Sequence, residues 1–284
     1  MPSEPPIIEA RNLSKRYRRT HEPTVESMGM HHLLGDIASL PWRLARRAFS
    51  SRPGNDAPVA DDSFWALKDI SFDLHRGETL GVIGSNGAGK SVLFKILAQI
   101  TPPTRGTAIL RGRVGAMLEV TAGFHEELTG RENIFLSGAI LGMTQRSISS
   151  RIDQIVEYAG VEDAMDTPVK RYSSGMSARL GFSVAVHLNA EIMLIDEVLA
   201  VGDAAFRAKC LETMRSLAAS GRSIIFVSHE LDMLERLCDR AILIDRGVLL
   251  EDGDPRDLAN RHRVLSKNDS EACSSIPQAH QPST

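Results

Sequence analysis

The chain has 284 residues, 42% hydrophobic and 24% charged, the balance of a globular protein and too apolar for a disordered one. Its net charge of −3 argues against a protein whose main task is coating nucleic acid. Three scattered cysteines (Cys210, Cys238, Cys273) make neither a disulfide framework nor a zinc site, which implies a reducing compartment.

Residues 7–17 predict a first strand with a basic end. Residues 18–62 break the pattern, with Pro23, Pro41, Pro53, Gly54, Asn55 and Pro58, and read as an insertion with a helical middle. Strand signals return at 64–74, Arg76-Gly77-Glu78 turns the chain, and 79–83 is a short apolar strand. A glycine-rich loop and a helix follow over 84–100, stopped by Pro102-Pro103. Short strands and turns fill 107–118. Residues 129–160 read as helical, with Thr129 and Glu132 at capping-box spacing, Thr144 capping a second start and Gly160 ending the run. A helix over 174–188, a buried strand at 192–195, a helix at 204–219 and a buried strand at 223–227 come next. A helix near 230–237 and a hairpin over 240–251, turning at Arg246-Gly247, complete the pattern. Short apolar strands alternating with helices indicate a parallel α/β sheet. The polar stretch 261–284 has few large apolar groups and is expected to be disordered. No apolar run approaches the ~18 residues of a membrane span, and the opening Met1-Pro2-Ser3-Glu4 lacks the features of a signal peptide.

Within the insertion, Met30, Leu33, Leu34, Ile37, Leu40, Leu44 and Ala48 recur at spacings of three and four, which makes one apolar face. Pro41 can open a second helix. Trp42, Arg43, Arg46, Arg47 and Arg52 make residues 28–52 basic and amphipathic. Such a segment suits a membrane interface or the pyrophosphate of an anionic lipid. It equally suits a helix packed on the domain with its arginines in water.

Three strand ends carry the chemistry. Gly84-Ser85-Asn86-Gly87-Ala88-Gly89-Lys90-Ser91 fits Gly-x-x-x-x-Gly-Lys-Ser/Thr, after an apolar strand and before a helix that opens with Val92. Glycines let backbone N–H groups converge on phosphate oxygens, and the helix start adds a favourable dipole. Lys90 would reach the β and γ phosphates, and Ser91 would offer its hydroxyl to Mg²⁺. The next strand delivers Asp196 and Glu197 to its C-terminal end, Asp196 for Mg²⁺ and Glu197 to orient or deprotonate the attacking water. A third strand ends in Ser228-His229, which places His229 at the same sheet edge, for a γ-phosphate contact.

Tyr172-Ser173-Ser174-Gly175-Met176 resembles the Leu-Ser-Gly-Gly-Gln signature of ABC-transporter ATPases, with Ser174 and Met176 as departures. The resemblance covers about residues 7–260. It implies a P-loop NTPase of the ABC ATPase type: an α/β fold with a RecA-like core, an antiparallel β subdomain and a helical signature subdomain. The expected cassette spans 1–260, with the insertion at 18–62 and the helical subdomain at about 125–190.

In that family the signature reaches the nucleotide bound by a second subunit, which implies a head-to-tail dimer sandwiching two ATP molecules. Ser173, Ser174, Gly175 and Met176 would lie at that interface with Asp203. Tyr17 would stack on adenine, and His229 matches the switch histidine. Glu119, where the family usually has glutamine, would ligate Mg²⁺ or water, although it adds a like charge near Asp196 and Glu197.

The 117–133 stretch, the signature and Asp196-Glu197-Val198-Leu199-Ala200 together resemble the nucleotide-binding subunits of polysaccharide exporters. That group moves O-antigen, capsular polysaccharide or teichoic acid. The resemblance implies an ATPase using Mg²⁺, an integral-membrane permease as partner, and a peripheral place on the cytoplasmic face of the inner membrane. Lipid-linked glycan or the membrane surface would meet residues 28–52, and nucleic acid is not an expected partner. A C-terminal carbohydrate-binding domain, present in some of the group, is not expected here. An exporter of another substrate, a soluble ABC ATPase acting on DNA or ribosomes, and a scaffold with a dead ATP site are the competing readings. The net charge and the single cassette disfavour the soluble ATPase. The intact Lys90, Ser91, Asp196, Glu197 and His229 disfavour the scaffold.

Overall fold

The computed structural model describes residues 4–18, 63–117, 123–196, 202–228 and 230–274. The chain divides into two units, one of Met1–Lys15 with Ala66–Thr284 and one of Arg16–Trp65.

The larger unit is built on a six-stranded sheet. Its strands are β3 (Thr79–Ile83), β5 (Val114–Met117), β6 (Ile192–Asp196), β7 (Ser223–Val227), β8 (Arg240–Asp245) and β9 (Val248–Gly253). They lie in the order β5-β6-β7-β3-β8-β9, parallel except for the last hairpin, in which β8 and β9 are antiparallel. The central strands β3, β6 and β7 are buried and largely apolar because both faces are covered, whereas β9 at the edge is exposed at alternate residues. Successive side chains point to opposite faces. Met193 and Ile195 of β6 and Ile224 and Phe226 of β7 therefore enter one core. Ile192, Leu194, Ile225 and Val227 enter the other.

That second core also takes Leu93, Phe94, Ile96 and Leu97 of helix α1 (Lys90–Leu97). A three-stranded sheet closes it from the far side, in the order β2 (Ser63–Leu74), β1 (Ile8–Arg18), β4 (Arg105–Leu110). β1 and β4 are antiparallel, with a register shift between Arg11 and Ser14. Phe94 is fully buried between the sheets, so its truncation to alanine would cost about 3–5 kcal/mol.

Four helices form a separate core of Ile134, Ile148, Ile155, Ala159, Leu180 and Val184. They are α2 (Gly130–Ile140), α3 (Gln145–Ser149), α4 (Ile152–Ala159) and α5 (Ser174–Val186). The expected caps are present: Thr129 and Glu132 make a full capping box, Thr144 caps α3, and Gly160 ends α4 in the left-handed region at φ 62°. Helices α6 (Ala204–Ala219), α7 (Leu231–Leu237) and α8 (Pro255–Ser274) follow the remaining strands.

Helix α8 corrects the expectation of a disordered stretch from residue 261. Leu258 and Ala259 anchor it in the core. Arg263 then pairs with Asp232 at 2.9 Å and Glu235 at 3.3 Å, and Arg261 pairs with Glu251. Those partners are distant in sequence, so low local hydrophobicity was a poor guide to helicity. Residues 275–284 lie outside the described residues.

Of the smaller unit, residues 16–18 and 63–65 are described. The Tyr17 and Phe64 ring centroids are 6.1 Å apart, and the Arg16 guanidinium lies 5.7 Å from the Trp65 ring centroid. The amphipathic 28–50 segment and its arginines lie outside the described residues.

Candidate functional site

The sheet register assembles the strand ends. Val82 of β3 pairs with Val227 of β7, and Val227 pairs with Asp196 of β6. Val82 and Asp196 therefore share one row, two strand spacings or roughly 10 Å apart. One row earlier, Met117 of β5 pairs with Ile195. The loops that leave β3, β5, β6 and β7 thus start from one edge, where parallel sheets place their ligands. Glu119, Glu197 and His229 follow β5, β6 and β7 but lie outside the described residues.

The loop after β3 is shaped by its glycines. Gly87 and Gly89 have φ of 79° and 106°, conformations that side chains rarely adopt. A Cβ on Gly89 would lie 2.6 Å from the Ala66 carbonyl oxygen and 2.7 Å from Leu67 Cδ2. One on Gly84 would collide with the Ile244 carbonyl oxygen. The loop is tied to the 246–247 turn, since Gly247 N–H donates to the Ala88 carbonyl at 2.9 Å. Ser85, Asn86 and Gly87 are exposed, while Ala88 is buried.

Lys90 opens α1 with a buried stem. Its Nζ donates to the carbonyl oxygens of Gly84 at 2.7 Å and Ser85 at 3.0 Å. The ammonium is thereby tied to the first two residues of the loop. Ser91 is exposed in the first turn, followed by half-buried Val92. A ring of backbone N–H groups, a helix N-terminus and a fixed cation can together hold a polyphosphate.

Mg²⁺ needs hard oxygen donors and is usually bound by one or two carboxylates together with substrate phosphates. The Ser91 hydroxyl, in the first turn of α1, and the Asp196 carboxylate, at the end of β6, are donors of the kind that demand calls for. No cluster of three or more His, Cys, Asp or Glu groups suited to a metal occurs among the described residues.

Away from the sheet edge, Ser173 is the N-cap of α5, and its Oγ accepts the Met176 N–H at 3.2 Å. The hydroxyl proton remains able to donate. Asp203 caps α6 in the same way, accepting the Phe206 N–H at 2.8 Å. Ser173, Ser174, Gly175, Met176, Arg179, Gly202 and Asp203 line one cleft of about 550 Å³. The structure thus brings the five expected interface residues together. It adds Ala178, Arg179 and Gly202, neighbours of the motif residues whose shared place in one cleft only the fold reveals.

Asn133 is a further residue whose role only the fold reveals. Fully buried, it binds the 125–129 loop through the His125 N–H and the carbonyls of His125, Leu128 and Thr129. Its place four residues after the Thr129 cap was the available signal.

The ABC transporter family model matches residues 67–200. The chain is 44% identical over 245 residues to the ABC transporter protein AbcA of Aeromonas salmonicida, covering 86% of this chain and 77% of that one. It is 40% identical over 248 residues to the O-antigen export system ATP-binding protein RfbB of Klebsiella pneumoniae, covering 87% and 94%. To the teichoic acids export ATP-binding protein TagH of Listeria innocua it is 42% identical over 205 residues, covering 72% and 61%. A dimeric ATP-binding cassette solved in a post-hydrolysis state with ADP and phosphate superposes with a TM-score of 0.64 at 17% identity, covering 88% of this chain and 99% of that one. This last likeness concerns the fold alone. By its relatives and its fold, the chain belongs to the ABC transporter family of ATP-binding proteins, in the group that includes the O-antigen export proteins.

Proposed function

We propose that the chain is the ATP-hydrolysing subunit of an exporter that drives lipid-linked polysaccharide across the cytoplasmic membrane, with a cargo of the O-antigen, capsule or teichoic-acid class. The observation that carries this reading is 40% identity across 94% of an O-antigen export ATP-binding protein. The intact phosphate loop beside Asp196 supports the catalytic part. No helix among the described residues is long and apolar enough to cross a membrane. A separate integral-membrane permease would therefore supply the path, with this chain peripheral on the cytoplasmic face.

In this reading ATP binds with its phosphates in the 84–91 loop, against Lys90, and with adenine on Tyr17. Ser91, Asp196 and Glu119 would hold Mg²⁺, which neutralises charge on the β and γ phosphates when bound. Glu197 holds the attacking water and takes its proton, and His229 contacts the γ-phosphate. Ser173, Ser174 and Gly175 at the start of α5, with Asp203, meet the nucleotide of a second copy. Closure of that dimer moves the surface near Glu119 and α2 against the permease, and product release reopens it.

The test is extraction of the tagged chain from native membranes. The account predicts co-purification with one integral-membrane protein and an ATPase activity lost in Glu197→Gln. A monodisperse soluble chain with full ATPase activity and no membrane partner would contradict it.

A further inference from the structure

Two helices begin at the cleft described above, α5 behind Ser173 and α6 behind Asp203. Away from the cleft, aromatic rings join the same helices. Phe182 of α5 and Phe206 of α6 meet edge to face, with centroids 5.9 Å apart and planes at 78°. Tyr158, in the last turn of α4, packs against both, at 6.2 Å and 6.0 Å. Helix α6 holds Tyr158 at further points. The Tyr158 hydroxyl shares a hydrogen bond with Thr213 Oγ1 at 2.7 Å. Lys209 Nζ donates to the Tyr158 carbonyl at 3.0 Å and sits 4.2 Å from the ring centroid.

Phe206 also reaches the cleft itself. Its N–H is the one that Asp203 accepts, and its ring lies against Gly202, where a Cβ would come within 3.1 Å of Phe206 Cδ1. Gly202 has φ 78° and no side chain of its own to hold it. The Phe206 ring is its backstop. Edge-to-face rings have a preferred geometry and only two side-chain torsions, so they pass on displacement rather than absorb it.

We infer that Phe206 is a positioning residue which, with Tyr158 and Phe182, locks Gly202 and Asp203 to the signature segment. Both walls of the cleft then meet the nucleotide of a second copy as one rigid surface. The inference rests on the two-site dimer under Proposed function. Phe206 touches no nucleotide in this scheme. It acts through Gly202 and Asp203. Phe206→Leu removes the ring but keeps the backbone N–H that Asp203 accepts, so it isolates the ring's contribution.

The experiment uses the full chain carrying Glu197→Gln, with and without Phe206→Leu or Phe206→Tyr. Nucleotide affinity is read with a fluorescent ATP analogue at protein concentrations below dimerisation. ATP-driven dimer formation is read by analytical ultracentrifugation. Phe206→Leu is expected to keep nucleotide affinity within about twofold while weakening dimerisation at least tenfold, and Phe206→Tyr is expected to restore it. Unchanged dimerisation in Phe206→Leu would overturn the inference. Parallel loss of both readouts in a Phe206→Leu chain that melts as its parent does would do the same, because the ring would then not act through the dimer face alone. Should Phe206→Leu fail to fold, Tyr158→Phe and Thr213→Val serve instead. Each is expected to weaken dimerisation, the double variant no more than the stronger single one, and no loss in any of them would overturn the inference. If the Glu197→Gln parent itself does not dimerise with ATP, the two-site reading falls before the Phe206 variants are compared.

Discussion

Lys90 spends its charge on the Gly84 and Ser85 carbonyls, which aims the ammonium into the loop where phosphates would lie. Lys90→Ala is expected to weaken ATP binding at least tenfold with little change in thermal unfolding, checked by nucleotide titration beside a melt. Gly89 differs, because its φ of 106° and its approach to Ala66 leave no room for any side chain. Gly89→Ala is expected to cost about 2 kcal/mol or more in denaturant unfolding and to abolish nucleotide binding. Tyr17→Ala should mainly raise the ATP concentration required, because base stacking contributes about 1–3 kcal/mol. An unchanged ATP dependence would move the adenine contact elsewhere. The local structure at Gly89, Lys90, Ser173 and Asp203 was legible in the sequence because each has a local reason: a tight turn, a lysine at a helix start, a helix cap. Arg179, Gly202 and Phe206 were not, because their roles arise where two helices meet.

Helix starts follow the same logic. The Glu132 carboxyl is held below its usual range by the Thr129 N–H and hydroxyl, as a capping box requires. Thr129→Ala is expected to lose about 1 kcal/mol of stability, read from a chemical melt. The end of α5 carries a pH response. His187 ends that helix, with Nδ1 2.7 Å from the Ser183 carbonyl. Burial, joined by the charges of Arg151, Arg222 and Lys209, pushes its pKa below 6.5. The folded state therefore binds fewer protons than the unfolded state in the window beneath 6.5. The stabilisation is complete above that value and declines as pH falls through the lower folded one. The melting temperature of the wild type should drop more steeply from pH 7 to pH 5 than that of His187→Gln, and equal slopes would contradict the assignment. Helix α8 was misjudged because its supports, Asp232, Glu235 and Glu251, are invisible to a local window.

At the scale of the molecule, the alternation of strands and helices announced a parallel sheet, but not its strand order. Nothing local says that β3 lies between β7 and β8, or that β4 joins a different sheet from β5. Long-range pairing decided both, and that pairing sets Val82, Val227 and Asp196 in one row. The central claim is that ATP hydrolysis at this edge drives polysaccharide export. It is tested most directly in cells carrying only the Glu197→Gln chain, by measuring surface polysaccharide together with lipid-linked glycan in the cytoplasmic membrane. The account predicts loss of one glycan from the surface and its accumulation, still lipid-linked, on the inner leaflet. A normal surface, in cells where the variant is expressed and inactive as an ATPase, would contradict it.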